Sequence, residues 1–359
     1  MRAYLRAWLI NLTPALSAFA VATILAILLL LLSGYDAMLA LHALFEGAFG
    51  STYAFSETIV KSLPLLLTGV AVALAFRAGV WNIGAEGQLL VGALSAVALA
   101  PHLTGLPGVL GIAFMLICGA LAGAGWAGIA GAMKVRRNVP EVVSTILLNF
   151  IALELVRYAV HAPLMEAAGQ FPQSEALAPA LRLARLFPPT RLHTGLWLAP
   201  VFAVLAYVLI HRTVFGFEMQ ATASNATAAR FVAIDTGRVQ LCSLMLSGAL
   251  AGLAGVFELA GVTYRVYENF SPGYGYTAIA VALMARLNPL AVMATALLFG
   301  ALDNGATAMQ RQANVSAVIS YAMQGIVVLT LAALGGLALR KGSQKTSSKI
   351  SIDFNNVAE

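Results

Sequence analysis

Ten long apolar runs leave this chain few ways to fold, because a backbone immersed in lipid finds hydrogen-bond partners only within a helix or a closed barrel. The runs lie near residues 15–33, 59–76, 80–100, 109–133, 140–160, 195–211, 239–262, 274–287, 288–306 and 315–339. A helix needs roughly 20 residues to cross a bilayer, and only the eighth run is too short to do so alone. Composition agrees: 60% of residues are hydrophobic and 10% charged, against about 25% charged in soluble domains. The expected fold is all-α, a polytopic membrane protein of about ten transmembrane helices. Residues 1–339 form the membrane domain, and the polar, basic stretch 340–359 is expected to be a disordered cytoplasmic tail.

Counted from a cytoplasmic N-terminus, about 14 of the 21 basic residues fall inside, which places both termini in the cytoplasm. The net charge of +6 is spread over loops, so it marks orientation in a lipid bilayer and implies no nucleic-acid partner. Arg2 and Arg6 precede a run longer than a usual signal-peptide core, read as a retained first span. Cys118 and Cys242 sit in apolar runs as small buried hydrophobes.

No phosphate-binding Gly-rich loop, zinc-binding His-Glu-x-x-His or nucleophile elbow occurs, and the five histidines fall at loops or span ends. An enzyme site, a metal site or a nucleotide site within the chain is therefore not expected. Polar residues concentrate in two apolar segments instead. In Phe76–Gln88, three glycines loosen the helix while Asn82, Glu86 and Gln88 load it with polar groups. An acid at that depth costs about 2.5–3.5 kcal/mol and must face protein or water. These residues read either as a hydrogen-bonded hub or as the lining of a solute path. In Asn138–Asn149, Pro140 and Glu141 suit a helix start, whereas Asn149 must find a partner on another helix or in the path. Glu154, Glu258 and Asp303 read as further buried acids near span ends, Glu154 within reach of Arg157 one turn on.

Two polar segments flank the membrane. The outer loop Ala162–Thr194 contains five prolines and cannot be one helix. Within it, Leu181–Phe187 is read as a helical turn that sets Arg182 and Arg185 on one face. They either snorkel toward lipid phosphates or offer a surface to acidic residues of an external protein. The inner segment Gly216–Asp235 reads as a helix capped by Ser224 or Asn225 and running to about Ile234. Ala228, Ala229, Phe231, Val232 and Ile234 form its apolar side, with Arg230 at the flank. So short a helix is marginal in water; it either lies on the bilayer or fits a cleft on another protein. Finally, Ala71-Val-Ala-Leu-x-x-Arg77 echoes Ala280-Val-Ala-Leu-x-x-Arg286, each followed by a run containing Gly-Ala-Leu. Both read as hairpins turning around an arginine on the cytoplasmic side.

These segments resemble the permease subunits of bacterial ATP-binding-cassette importers of the branched-chain amino acid and simple sugar group, most closely the purine-nucleoside permeases. The matching pieces are Arg77–Gln88, Val139–Phe150, Gly216–Asp235 and Gly273–Pro289. The resemblance implies a type II importer-like permease in the bacterial inner membrane that imports a nucleoside or simple sugar. It implies a homologous second permease subunit, an extracytoplasmic solute-binding protein and a cytoplasmic ATPase that carries the ATP and Mg, with no cofactor in this chain. It also places the ATPase-coupling helix at Ser224, Asn225, Ala228, Ala229, Arg230, Phe231 and Ile234. Ala223, Ala226 and Thr227 depart from the Gly, Pro and Glu of the family pattern. Asn82, Glu86, Gln88, Asn149, Tyr274 and Tyr276 become candidates for the translocation pathway, and Arg182 and Arg185 for binding-protein docking. The rival reading is an autonomous proton-coupled transporter, with Glu86, Glu154, Glu258 or Asp303 as the titrating acid.

Overall fold

The structure, a computed structural model, describes residues 20–327 and 329–330. Arg2, Arg6, the beginning of the 15–33 run, the end of the 315–339 run and the proposed tail 340–359 lie outside the described residues. The helices are α1 (Ala20–Leu32), α2 (Ala37–Phe49), α3 (Thr52–Arg77), α4 (Ala85–Leu99), α5 (Gly108–Arg137), α6 (Glu141–His161) and α7 (Gly195–Arg212). They continue with α8 (Val214–Ser224), α9 (Ala226–Phe231), α10 (Thr236–Glu258), α11 (Tyr274–Met284), α12 (Pro289–Gln312) and α13 (Ala317–Val327). A π turn, Leu259–Thr263, extends α10. Among the described residues six helices are long and apolar enough to cross a membrane: α3, α5, α6, α7, α10 with its π turn, and α12.

The chain divides into two units, Met1–Gly47 with Gly305–Glu359, and Ala48–Asn304. In the first, Leu30, Ala40, Ala43, Met309 and Met323 form a buried apolar cluster. Helix α2 was not expected. His42 and Glu46 interrupt its apolar face, yet Asp36 marks its start by accepting from the Met38 and Leu39 amides at 2.9 and 3.0 Å. Such a cap satisfies amides that the first helical turn leaves unbonded.

In the second unit the centre is held by α3 and α10. Of their most apolar stretches 83% and 67% is buried, against 22% for α5 and 28% for α7; the latter two keep broad apolar flanks for lipid. Between apolar helices in lipid the attraction comes from close packing, so small residues at four-residue spacing decide which helices touch. Gly119 and Gly123 of α5 face Gly248 and Gly252 of α10, and Gly92 of α4 lies against Gly252 as well. A Cβ on Gly252 would be driven into the Gly119 carbonyl, and one on Gly123 would come within 2.9 Å of the Gly252 Cα.

Helix ends follow the local sequence. Helix α5 stops at Asn138, left-handed at φ 55°, with Lys134, Arg136 and Arg137 in its last turn. That is favourable for cations at the negative end of the helix dipole. The Glu141 carboxylate opens α6 and accepts from Lys134 Nζ at 2.5 Å and the Trp81 amide at 3.3 Å.

Four expectations need correction. The 80–100 run becomes helical only at Ala85, because Gly79 and Gly84 and the side chain of Asn82 supply an irregular turn. The 274–287 run gives only the 11 residues of α11, about 16 Å at 1.5 Å per residue. The inner segment is two helices, not one: α8 ends at Ser224, and α9 ends at Phe231 before a left-handed Ala233 at φ 62°. Leu181–Phe187 is not a helical turn. Only Pro179–Leu181 forms a 3-10 turn, Arg182 is extended, and Arg185 pairs across to His193. Prolines at 188 and 189 and the pull of this extended pairing override the helical spacing.

The close α5–α10 contact predicts opposite signs for one chemical change at two glycines. Gly252→Ala should lower thermal stability in detergent by at least about 1 kcal/mol through overpacking. Gly125→Ala, whose Cβ would meet nothing within 4 Å, should be neutral or stabilising by up to about 1 kcal/mol.

Candidate functional site

The irregular turn between α3 and α4 gathers most of the polar residues that the sequence singled out. Asn82 is fully buried and exchanges two hydrogen bonds with Gln88, both at 3.0 Å. It also donates to Ser247 Oγ at 2.8 Å, and Ser247 in turn donates to the Ala71 carbonyl at 2.6 Å. Two helices, α3 and α10, are thereby tied to the turn. Asn149 of α6 completes the next layer: its Oδ1 accepts from the Gly87 amide at 2.8 Å and its Nδ2 donates to the Ile83 carbonyl at 2.9 Å. The Gly87 amide is one of the first-turn donors that α4 cannot bond internally.

Glu86 does the corresponding work for α11. Its carboxylate accepts from the Gly275 amide at 2.7 Å, at the start of α11, with the Ser271 hydroxyl and the Gly273 amide also in reach. A negative group there sits at the positive end of two helix dipoles, those of α4 and α11. Gly275 has to be glycine, since a Cβ would collide with the Glu86 backbone. Tyr276 lies 3.4 Å from Asn149 and is 46% exposed, so it forms the open edge of this layer. Tyr274 is not part of it. It lies instead within electrostatic reach of Glu258, Asp303, Tyr267 and Arg191.

The two echoed hairpins meet at their arginines. Arg77 Nε donates to the Leu287 carbonyl at 3.1 Å and Nη2 to that of Arg286 at 3.4 Å. Both residues are left-handed, φ 57° and 53°, so their carbonyls turn away from α11 and need an outside donor.

At the inner segment, Asn225 Oδ1 accepts from the Thr227 and Ala228 amides, both at 3.0 Å, and fixes the start of α9. Arg230 Nε donates to Thr236 Oγ1 at 3.0 Å, and Asp235 caps α10 through the Arg238 amide at 2.9 Å. Ala229 is buried, Ile234 half-buried, and Ser224, Ala228 and Arg230 exposed; Phe231 and Val232 are 87% and 69% exposed. The helix thus presents an apolar tip on a capped frame. Just before it, Ala223 abuts the turn leading to Asn82. Gly79, left-handed at φ 73°, has no room for a Cβ, which would meet the Ala223 Cα at 2.9 Å.

In the outer loop Arg182 donates twice to the Leu177 carbonyl, at 2.9 and 2.8 Å, and stacks over Tyr264 at 4.6 Å. Arg185 reaches the same ring at 5.8 Å and its hydroxyl at 3.3 Å. The two arginines are neighbours, through a shared aromatic platform. Sequence reasoning missed the ion pairs beside them: Arg191 with Glu57, and Lys61 with Asp303 at 2.8 Å. The Glu57 carboxylate holds the Arg191 guanidinium more firmly charged. These partners are far apart in sequence, and no local spacing signals them. Glu154 is exposed, not buried, and pairs with Arg157 at 2.9 Å; Asp303 is likewise 42% exposed. Buried His193 accepts from the Gly195 amide at 3.2 Å, and burial lowers its pKa to about 4.

A family model described as branched-chain amino acid transport system / permease component matches residues 54–332. The glucose ABC transporter permease of Haloferax volcanii is 35% identical over 90% of this chain and 88% of its own length. The guanosine ABC transporter permease NupP of Bacillus subtilis is 34% identical over 89% and 92%. A second guanosine ABC transporter permease of that bacterium, NupQ, is 24% identical over 68% and 78%. No solved structure matches significantly.

Two outcomes follow from this geometry. Asn149→Ala leaves the Gly87 amide and the Ile83 carbonyl without their partner, and should cost about 1–3 kcal/mol, read as a lower melting temperature in detergent. His193 is neutral when folded, so its contribution is complete above its unfolded pKa of 6.5 and is lost as pH falls toward about 4. Hydrogen exchange in the outer loop should rise over that window, by a loss of up to roughly 3 kcal/mol, and His193→Gln should flatten the profile.

Proposed function

The chain belongs to the family described as the permease component of branched-chain amino acid transport systems, and from that premise we propose that it is the membrane subunit of an ATP-driven importer for a nucleoside or simple sugar. The relatives named for guanosine and glucose support this solute class. Their description as ABC permeases favours it over an autonomous proton-coupled transporter. In this reading the chain is a type II importer-like, ten-span protein of the bacterial inner membrane with both termini in the cytoplasm. It forms half of the pathway, and the paired NupP and NupQ of one bacterium support a homologous second permease as the other half. A cytoplasmic ATPase carries the ATP and Mg. A solute-binding protein delivers cargo to the outer loop, where Arg182 and Arg185 meet its acidic residues.

One observation carries the coupling assignment: an apolar tip, Phe231 and Val232, is held exposed at the end of α9, whose start is fixed by Asn225 and which is followed by α10 with its Asp235 cap. A large apolar side chain on a capped polar frame is the form of a residue that anchors in a partner's pocket. Ser224, Asn225, Ala228, Ala229, Arg230 and Ile234 supply the frame. Movement of α9 is passed through Ala223 and Gly79 to the turn bearing Asn82, and from there through Gln88 and Glu86 of α4 to α11. That turn is the two-state element that both ends bias. Tyr276 and Tyr274 face the solute, while Asn82, Glu86, Gln88 and Asn149 set the shape of the pathway wall.

Arg230→Glu and Phe231→Asp should each reduce solute uptake by the assembled transporter at least about tenfold while leaving the amount of chain in the membrane unchanged. Uptake at the normal rate by both variants would rule out this coupling surface.

A further inference from the structure

Glu258 ends α10 immediately before the π turn, and only 6% of the residue is exposed. Among the described residues its carboxylate has neither a hydrogen-bond donor nor an ion-pair partner. Every other acid in this part of the bundle is engaged. The two cations whose charge acts on Glu258 are Arg191 and Lys61; Arg191 is held by Glu57, and Lys61 lies 2.8 Å from Asp303. The aromatic groups that feel its charge are Tyr267 and Tyr274. A carboxylate this withdrawn from bulk water and without protein donors is costly, and it takes its donors from water or from a ligand that reaches it. The π turn points the same way, because such widened turns concentrate at functional sites.

We propose that Glu258 is a solute-binding residue, its two carboxylate oxygens accepting from adjacent hydroxyls of a ribosyl or hexose ring, with Tyr267 and Tyr274 as the aromatic neighbours of that ring. The proposal rests on the permease reading above and assigns it a recognition chemistry. Both oxygens of a carboxylate can accept at once, which suits a vicinal diol. Guanosine and glucose, named for two relatives, have vicinal hydroxyls in common. A metal ion fits less well: hard cations take six or more oxygen ligands, and among the described residues no three acidic, histidine or cysteine side chains are grouped to hold one.

The test uses the whole transporter, co-purified with its partner subunits and reconstituted. Uptake rates at saturating solute are compared for guanosine against 2′,3′-dideoxyguanosine and for glucose against 2-deoxyglucose and 3-deoxyglucose, which between them break every adjacent pair of ring hydroxyls. The wild type should favour the hydroxylated member of the pair it imports. Glu258→Gln should slow that member roughly 10- to 100-fold and bring the ratio near one, and Glu258→Asp should retain part of the discrimination. Unchanged rates and ratios in both variants would overturn the assignment while leaving the permease reading intact. So would equal slowing of both solutes, or failure of both variants to assemble, since either marks a structural role. Import by the wild type of no nucleoside and no simple sugar across a panel that includes guanosine and glucose would refute the nucleoside-or-sugar reading itself, and this proposal with it.

Discussion

A helix that begins within an apolar bundle must find acceptors for its first amides, and α11 finds one in the carboxylate of Glu86. Much of the central unit follows from that bond. It allows an 11-residue helix whose second residue is the buried Gly275 to start within the bundle, and it gives an intramembrane acid the opposite charge it needs, in the form of two helix dipoles. Glu86 can reach Gly275 only because α4 also begins within the bundle, after the irregular turn at 78–84. Two interrupted helices therefore support each other, with Asn149 on the α4 start and Ser271 on the α11 start as further partners.

The same economy of polar groups runs through the neighbouring layer. Asn82, Gln88, Asn149 and Ser247 are all buried, and each is bonded to a backbone group or to another of the four. A buried polar network of this kind rigidifies its surroundings when every member is satisfied. The glycine-lined contact of α5 with α10 fixes the other side, so the turn lies between two well-defined walls. Its remaining face is toward Ala223, against which Gly79 packs without room for a Cβ.

Much of this was legible in the sequence, and the failures have physical causes. Long runs such as 109–133 and 140–160 map onto α5 and α6 because their apolar length alone dictates a helix. The polar hub was visible as Asn82, Glu86, Gln88 and Asn149, since polar groups in lipid stand out against an apolar background. Its closing partners, Ser247 and the Gly275 amide, were not visible, because one serine and one backbone N–H carry no local signature. The echo around Arg77 and Arg286 correctly marked two turns, but only the fold shows one arginine bonding the other's carbonyl. The cap at Asn225 was readable; the early end of α9 was not, as nothing before Ala233 announces a left-handed residue. Arg182 and Arg185 were placed together for the wrong reason: they meet through Tyr264, about 80 positions away in the chain, and not through helical spacing.

The account stands on the claim that force enters this bundle from a separate ATPase through α9. Its most direct test places a photo-activated crosslinking residue at 231 in the complete transporter in native membranes. Irradiation should join this chain covalently to an ATP-binding-cassette protein, with the yield changing when nucleotide is bound. Adducts to lipid alone, or to no ATPase at any nucleotide state, would contradict it.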